Sequence, residues 1–278
     1  MDKQFWFDIC NNEFAVPEGQ DIFTLTEELL IYLGSPDPEL RDSIAYEVFA
    51  NWVDQGQYPP ELLRSYILRL SANLNEGLGG AGDDSLFLRA FSVLCLAEIV
   101  QHDNQHPFLD RDEVHNLLSR GLAYLESEAD PRGYTGEKGW GHALAHTADL
   151  LYVLARSSHL HAKDLLKLLH GVSAKLVSST NWIYVHGEDD RLVRAALTAL
   201  DRDLLDEAAV RGWLASLTPS TPGGWKQAWA EEGRSRAYFN ARNFLRSLTL
   251  RVVSAEDLKH KDKLQSLLLE ANANLKPY

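Results

Sequence analysis

Two histidines and an aspartate stand in the segment His142-Ala143-Leu144-Ala145-His146-Thr147-Ala148-Asp149. The spacing is i, i+4, i+7, which lines three side chains along one face of a helix. At about 100° per residue, Leu144, Ala148, Leu151 and Ala155 fall within a ~60° arc on the other side and form an apolar stripe. The flanks Ala143, Ala145, Leu150 and Tyr152 are largely apolar, and no Lys or Glu occurs between Trp140 and Val153. A solvated face would carry such residues, so the polar row is expected to look into a groove or a polar interior. Two imidazoles one turn apart can chelate a divalent metal such as zinc, with Asp149 as third ligand or as the partner that fixes a histidine tautomer. The Glu that follows the first His in HExxH zincins is missing, so that mechanism does not transfer. The same row also suits a metal-free ligand pocket, or a hydrogen-bond network between packed helices. These three readings stay open, and no cofactor other than such a metal is expected.

The approach to the row is rich in glycine: Arg132-Gly133-Tyr134-Thr135-Gly136-Glu137-Lys138-Gly139-Trp140-Gly141 holds four in ten residues. Glycine permits positive φ and close backbone approach, and free N–H groups at a helix start can hold an anion. No phosphate-loop or dinucleotide pattern occurs. Polar residues recur at similar places elsewhere. Asp83 and Asp84 precede a helix they can cap, and Arg89 and Ser92 share a face of it. Glu188-Asp189-Asp190-Arg191-Leu192 opens another helix, where acidic residues suit the dipole. Arg242, Asn243 and Arg246 share a ~100° arc of an apolar helix. Arginines on a buried side need partners, and the candidates are Asp149, Glu188 or an anionic ligand.

The elements that must position these residues are helices. Apolar periodicity is helical throughout, and breaks fall at 34–36, 58–60, 77–82, 130–133, 187–190 and 218–224. The helices pair: 41–49 with the helix opening at Pro60, the helix opening at Asp84 with 111–126, the His142 helix with 162–178, 191–199 with 206–217, and 238–253 with 259–273. Marker residues Arg41, Arg89, Trp140, Arg191 and Asn240 recur at spacings of 48, 51, 51 and 49. A period of about 40–50 residues of paired helices is the signature of HEAT-like solenoids. Asp37-Pro38-Glu39-Leu40-Arg41-Asp42-Ser43-Ile44-Ala45 resembles the first helix of such a repeat. The expected fold is therefore all-α, an α/α superhelix of about five HEAT-like helix pairs in one domain over residues 1–278.

Composition narrows the function classes. The chain has 278 residues, 45% hydrophobic and 24% charged, enough for a sizeable core. Its net charge of -13 disfavours nucleic acid as a partner. Cys10 and Cys95 are the only cysteines and show no ligand spacing, which fits a reducing compartment. The start, Met1-Asp2-Lys3-Gln4-Phe5-Trp6-Phe7, does not read as a signal peptide, and no apolar run suggests a membrane partner. A soluble, cytoplasmic protein is the expectation.

The motifs together resemble a bacterial family known as domain of unknown function 2785. The resemblance rests on Arg132-Gly133-Tyr134 and on Glu137-Lys138-Gly139-Trp140-x-His142-Ala143-x-Ala145-His146-x-Ala148-Asp149-Leu150-Leu151. It extends to Glu188-Asp189-x-Arg191-Leu192, to Asn243-Phe244-Leu245-Arg246-Ser247-Leu248, and upstream to Asp84-Ser85-x-x-x-Arg89-Ala90-Phe91-Ser92, where Ala90 stands in place of an expected serine. It spans about residues 20 to 255. It implies no activity, but it groups Arg89, Arg132, Glu137, Trp140, His142, His146, Asp149, Glu188, Arg191, Asn243 and Arg246 as one constellation. First helices of a helix-pair stack line its concave face, so a small-molecule or protein ligand is expected there. The alternative is a metal-assisted hydrolase, with His142, His146 and Asp149 as ligands and Glu137 or Glu188 as general base.

Overall fold

Helices begin where short polar side chains can take up the free N–H groups of the first turn. Asp2 accepts from Phe5 N at 2.9 Å, Asp21 from Thr24 N at 2.9 Å and Asp206 from Ala209 N at 2.8 Å. Pro60 occupies the first turn of its helix, where its missing N–H costs nothing. The computed structural model describes residues 1–220 and 223–275. The break expected over 218–224 thus lies partly outside the described residues, at 221–222, as does the end of the expected domain, 276–278. The helices are α1 Lys3–Asn11, α2 Ile22–Tyr32, α3 Glu47–Asp54, α4 Pro60–Asn73, α5 Ser85–Gln105, α6 Arg111–Ser127, α7 Ala143–Arg156, α8 Ala162–Val177, α9 Glu188–Asp201, α10 Glu207–Ala215, α11 Glu232–Ser254 and α12 Lys261–Asn274. A π-helical stretch, Glu39–Tyr46, leads into α3. The described residues contain no strand, and the fold is all-α as the sequence predicts.

The chain divides into two compact units, with the division falling inside α7 after Leu150. The first comprises residues 1–109 and 127–150. Its central element is α5, a helix long and apolar enough to cross a membrane by length and composition alone. Here it is a core helix, buried on nearly every side, with α3, α4 and the π-helical stretch packed against it. Beside it the rings of Trp6, Phe49, Trp52, Tyr58 and Tyr66 meet at centroid distances of 5.3–6.4 Å. Arg89 on α5 is fully buried and grips Glu128 with two nitrogens, at 2.6 and 3.0 Å. Its third nitrogen donates to Glu76 O at 2.8 Å and Ser85 Oγ at 2.7 Å.

The second unit comprises residues 110–126 and 151–278. Within it α10 packs against α8 and α12, and α11 packs against α8, α9 and α12. Trp213 seats this packing: it is fully buried, its Nε1 donates to Leu169 O at 2.8 Å, and Phe244 meets it edge-on at 6.4 Å. Arg202 closes the end of α7, donating to the carbonyls of Ala155 at 2.8 Å, Ser157 at 2.9 Å and Leu160 at 3.2 Å.

Removing one member of a buried ion pair strands the other charge. Arg89→Met should therefore cost about 3–5 kcal/mol in urea unfolding, and Glu128→Leu a similar amount. The double variant should recover most of that loss. A double variant as unstable as the sum of the singles would show that the pair is not the source of the cost.

Candidate functional site

The glycine-rich approach folds as a small hairpin in the first unit. Thr135 N donates to Gly139 O at 2.8 Å, Gly141 N to Gly133 O at 2.8 Å and His142 N to Arg132 O at 3.0 Å, and an antiparallel bridge joins Tyr134 to Trp140. Two of its glycines sit where a side chain would crowd its neighbours. A Cβ on Gly139 would lie 2.9 Å from Pro38 Cβ at a backbone φ of +71°, and one on Gly141 would lie 2.6 Å from Leu86 Cδ2. Charged side chains tie the hairpin down. Fully buried Arg41 donates to Lys138 O at 2.6 Å, Trp140 O at 3.1 Å and Ser35 O at 2.6 Å, and its guanidinium lies 4.0 Å above the Phe87 ring. Burial pushes the Arg41 guanidinium down to about 10 against the pull of Asp42, Asp37 and Asp84, so it stays charged at neutral pH. Lys138 reaches Asp84 at 2.7 Å. Arg132 clamps Asp130 through Nε at 2.9 Å and Nη2 at 2.7 Å. Burial works to raise the Asp130 carboxyl, but bonds from Arg132 and from the backbone N–H groups of Gly82 and Arg132 hold it below the usual range.

The hairpin also decides where His142 goes. The spacing predicts His142, His146 and Asp149 as one helical row. In the structure α7 begins at Ala143, and His142 stands outside it with a left-handed φ of 56°. The cause is the bond from His142 N to Arg132 O, which makes this residue the last of the hairpin before it can become the first of the helix. A left-handed conformation costs a non-glycine residue roughly 1–2 kcal/mol. Strain of this kind persists where surrounding bonds impose it, and it clusters at functional sites. The His142 ring stacks on Trp140, 4.3 Å between centroids and 23° from parallel. It meets His146 edge-on at 5.8 Å, and His146 meets Phe91 at 5.1 Å. Tyr134 adds a fifth ring, 5.0 Å from Trp140. The file runs from Tyr134 and Trp140, 54% and 37% exposed, to His142 and His146, 7% and 5% exposed.

His146 Nδ1 lies 3.0 Å from Ala90 O. A carbonyl only accepts, so Nδ1 carries a proton and donates it. One ring nitrogen of His146 is thus committed to the backbone. Among the described residues no three His, Cys, Asp or Glu side chains are grouped so as to hold a metal. Asp149, half-buried on α7, bears on Glu98 of α5. Burial first, and then the negative charges of Asp149, Asp54 and Glu47, raise the Glu98 carboxyl, although Tyr46 donates to it at 2.8 Å. Glu98 is therefore a carboxyl biased toward keeping its proton, next to Tyr46 and within reach of the Asp149 charge.

Of the eleven candidates, Arg89, Arg132, Glu137, Trp140, His142, His146 and Asp149 belong to the first unit, and Glu188, Arg191, Asn243 and Arg246 to the second. Glu137 is exposed on the turn Gly136–Lys138. Asp83, not Asp84, bonds the first N–H of α5, at 2.9 Å from Ser85 N. In the second unit, buried Glu188 accepts from His186 N at 2.8 Å. Arg191 and Asn243 are half-buried, and Arg246, expected on a buried side, is exposed. The buried polar residue of α11 is Asn240, which accepts from Tyr184 N at 2.9 Å and donates to Trp182 O at 3.0 Å, fixing the strand of chain that enters α9. Glu98, Tyr46 and Glu128 also escape sequence reasoning, because their partners lie on other elements. Arg41 had a signal in its repeat spacing, but nothing marked it as the anchor of the hairpin.

Two outcomes follow for this site. Arg41→Met leaves three carbonyls without their donor and should cost about 3 kcal/mol, with faster amide exchange at Thr135, Gly139 and Gly141; unchanged exchange there would remove Arg41 as the anchor. A carboxyl raised in the fold contributes stability below the ordinary glutamate pKa of about 4.3 and loses it as pH rises through the folded value. Glu98→Gln should therefore melt higher than wild type at pH 7, and the gain should vanish near pH 4; a gain independent of pH would show that Glu98 ionises freely.

A family model described as a protein of unknown function (DUF2785) matches residues 74–250, more than half of the chain. No curated protein and no solved structure matches. The matched stretch contains the hairpin, both imidazoles, Asp149, Glu98 and the motifs of α9 and α11, while Arg41 and Tyr46 lie upstream of it. The chain thus belongs to the DUF2785 family.

Proposed function

We propose that this chain is a HEAT-like helical repeat protein that binds a small polar ligand at the Trp140–His142–His146–Asp149 site of its first unit. The observation that carries the reading is His146. Its Nδ1 is held by the Ala90 carbonyl, which orients the ring and so presets the direction in which it can meet a ligand. Beside it stand a second imidazole held in a strained conformation and, stacked on that, an exposed indole, while Asp149 on the same helix acts on the raised Glu98 carboxyl. Few polar groups at the inner end of an aromatic wall are what small-ligand recognition needs. The packing of α10 against both α8 and α12, with α11 against α9, supports the repeat reading for the second unit.

A thermal-shift panel of small carboxylates, amines, sugars and nucleosides tests the site. A ligand at 100 times its Kd stabilises by about 2.7 kcal/mol, or about 5 °C in a chain of this size. Trp140→Ala and His146→Asn should abolish the shift; the asparagine keeps a donor for Ala90 O and deletes Nε2. A panel without hits, or hits that shift both variants as much as wild type, would sink the reading. Stoichiometric zinc in protein purified without a histidine tag, lost in both His142→Asn and His146→Asn, would replace it with metal-assisted hydrolysis.

A further inference from the structure

A pocket of about 450 Å³ lies in the second unit, lined by Tyr152, Arg156, Thr198, Asp201, Arg202 and Lys259. Three of these six side chains are cationic and one is acidic. A fourth cation, Arg194, lies 3.6 Å above the Tyr152 ring, while Arg156 lies 5.6 Å from the same ring and reaches its hydroxyl at 3.4 Å. Like charges gathered at a concave surface repel one another and are stabilised when an anion arrives. The clustering runs against the background, since the whole chain carries a net charge of -13.

The end of α7 accounts for part of this charge. Arg202 serves the carbonyls of Ala155, Ser157 and Leu160, and Arg156 stands in the last turn, where cations suit the helix dipole. It does not account for Arg194, which comes from α9, or for Lys259, which precedes α12. Asp201 accepts the Lys259 backbone N–H at 3.3 Å, and its single charge offsets one of the cations. The excess is thus at least two positive charges around one pocket. A planar monocarboxylate is satisfied by a single guanidinium fork, whereas a tetrahedral dianion accepts from several directions at once. The volume lies within the range of small-molecule sites, so the pocket has room for an organic part beyond the anion itself.

We propose that this pocket binds a small phosphate monoester, with Arg194, Arg156 and Lys259 around the phosphoryl group and the organic part against Tyr152 and Thr198. Titration calorimetry on the full chain in phosphate-free buffer tests it, with glycerol 3-phosphate, inorganic phosphate, malonate and glycerol as probes. Glycerol 3-phosphate should bind saturably and more tightly than inorganic phosphate, and its affinity should fall as salt rises from ~50 to ~200 mM. Arg194→Gln and Lys259→Gln replace exposed side chains. Each should weaken binding about tenfold with the melting temperature unchanged, the loss of one charge-assisted hydrogen bond. His146→Asn should leave it intact, which separates this site from that of the first unit. The proposal is overturned if neither phosphate probe saturates, if malonate or inorganic phosphate binds as tightly as the ester, or if the Arg194→Gln/Lys259→Gln double variant binds undiminished.

Discussion

A buried guanidinium keeps its charge, so most of its N–H groups must find acceptors. Much of the irregular chain in this protein is arranged to supply them. Arg41 takes the carbonyls of Ser35, Lys138 and Trp140. Arg89 takes Glu128, Ser85 and the Glu76 carbonyl. Half-buried Arg202, just after α9, takes one carbonyl in the last turn of α7 and two beyond it. In each case the side chain fixes a stretch of chain that has few periodic hydrogen bonds of its own. A lysine would not do the same, because its ammonium is a compact charge that a fork of carbonyls does not match.

The consequence for the first unit is a chain of constraints ending at the imidazoles. Arg41 holds the carbonyls of Lys138 and Trp140, the hairpin closes through His142 N to Arg132 O, and His142 is kept in the left-handed region just before α7. The ring then stacks on Trp140 and meets His146, whose orientation is set separately by Ala90 O. Two histidines that a single helix would place in a row are instead positioned by two different elements. The His146 ring is fixed by a backbone carbonyl, and the His142 ring by a backbone tied into the hairpin and by stacking on Trp140.

The two units carry opposite electrostatics at their candidate sites. In the first, burial raises Asp42 against the pull of Arg41, and burial together with repulsion from neighbouring carboxylates raises Glu47 and Glu98. In the second, cations gather about Tyr152. A net charge of -13 describes neither place. Average charge governs solubility and long-range attraction, while recognition depends on the few groups within one Debye length of the ligand.

The sequence by itself determined the helices. Apolar periodicity, aspartate caps and a proline in a first turn act over three or four residues, so α3 to α12 stand close to where pattern and punctuation put them. It also determined that α7 would be covered on both sides, because its flanks are apolar where a solvated face would be charged. Only the tertiary structure decided what the polar residues do. Arg89 resembles a ligand residue in sequence and is an ion-paired core residue, because Glu128 is 39 residues away. Arg41 finds the hairpin at a separation of 97 residues, and Tyr46 finds Glu98 at 52. His142 stands just ahead of the helix, where its N–H closes the hairpin on Arg132 O and its carbonyl accepts from His146 N, a position no local propensity records. Periodicity is a short-range property that a sequence displays directly; partners for buried charge are long-range, and they exist only once the chain has folded.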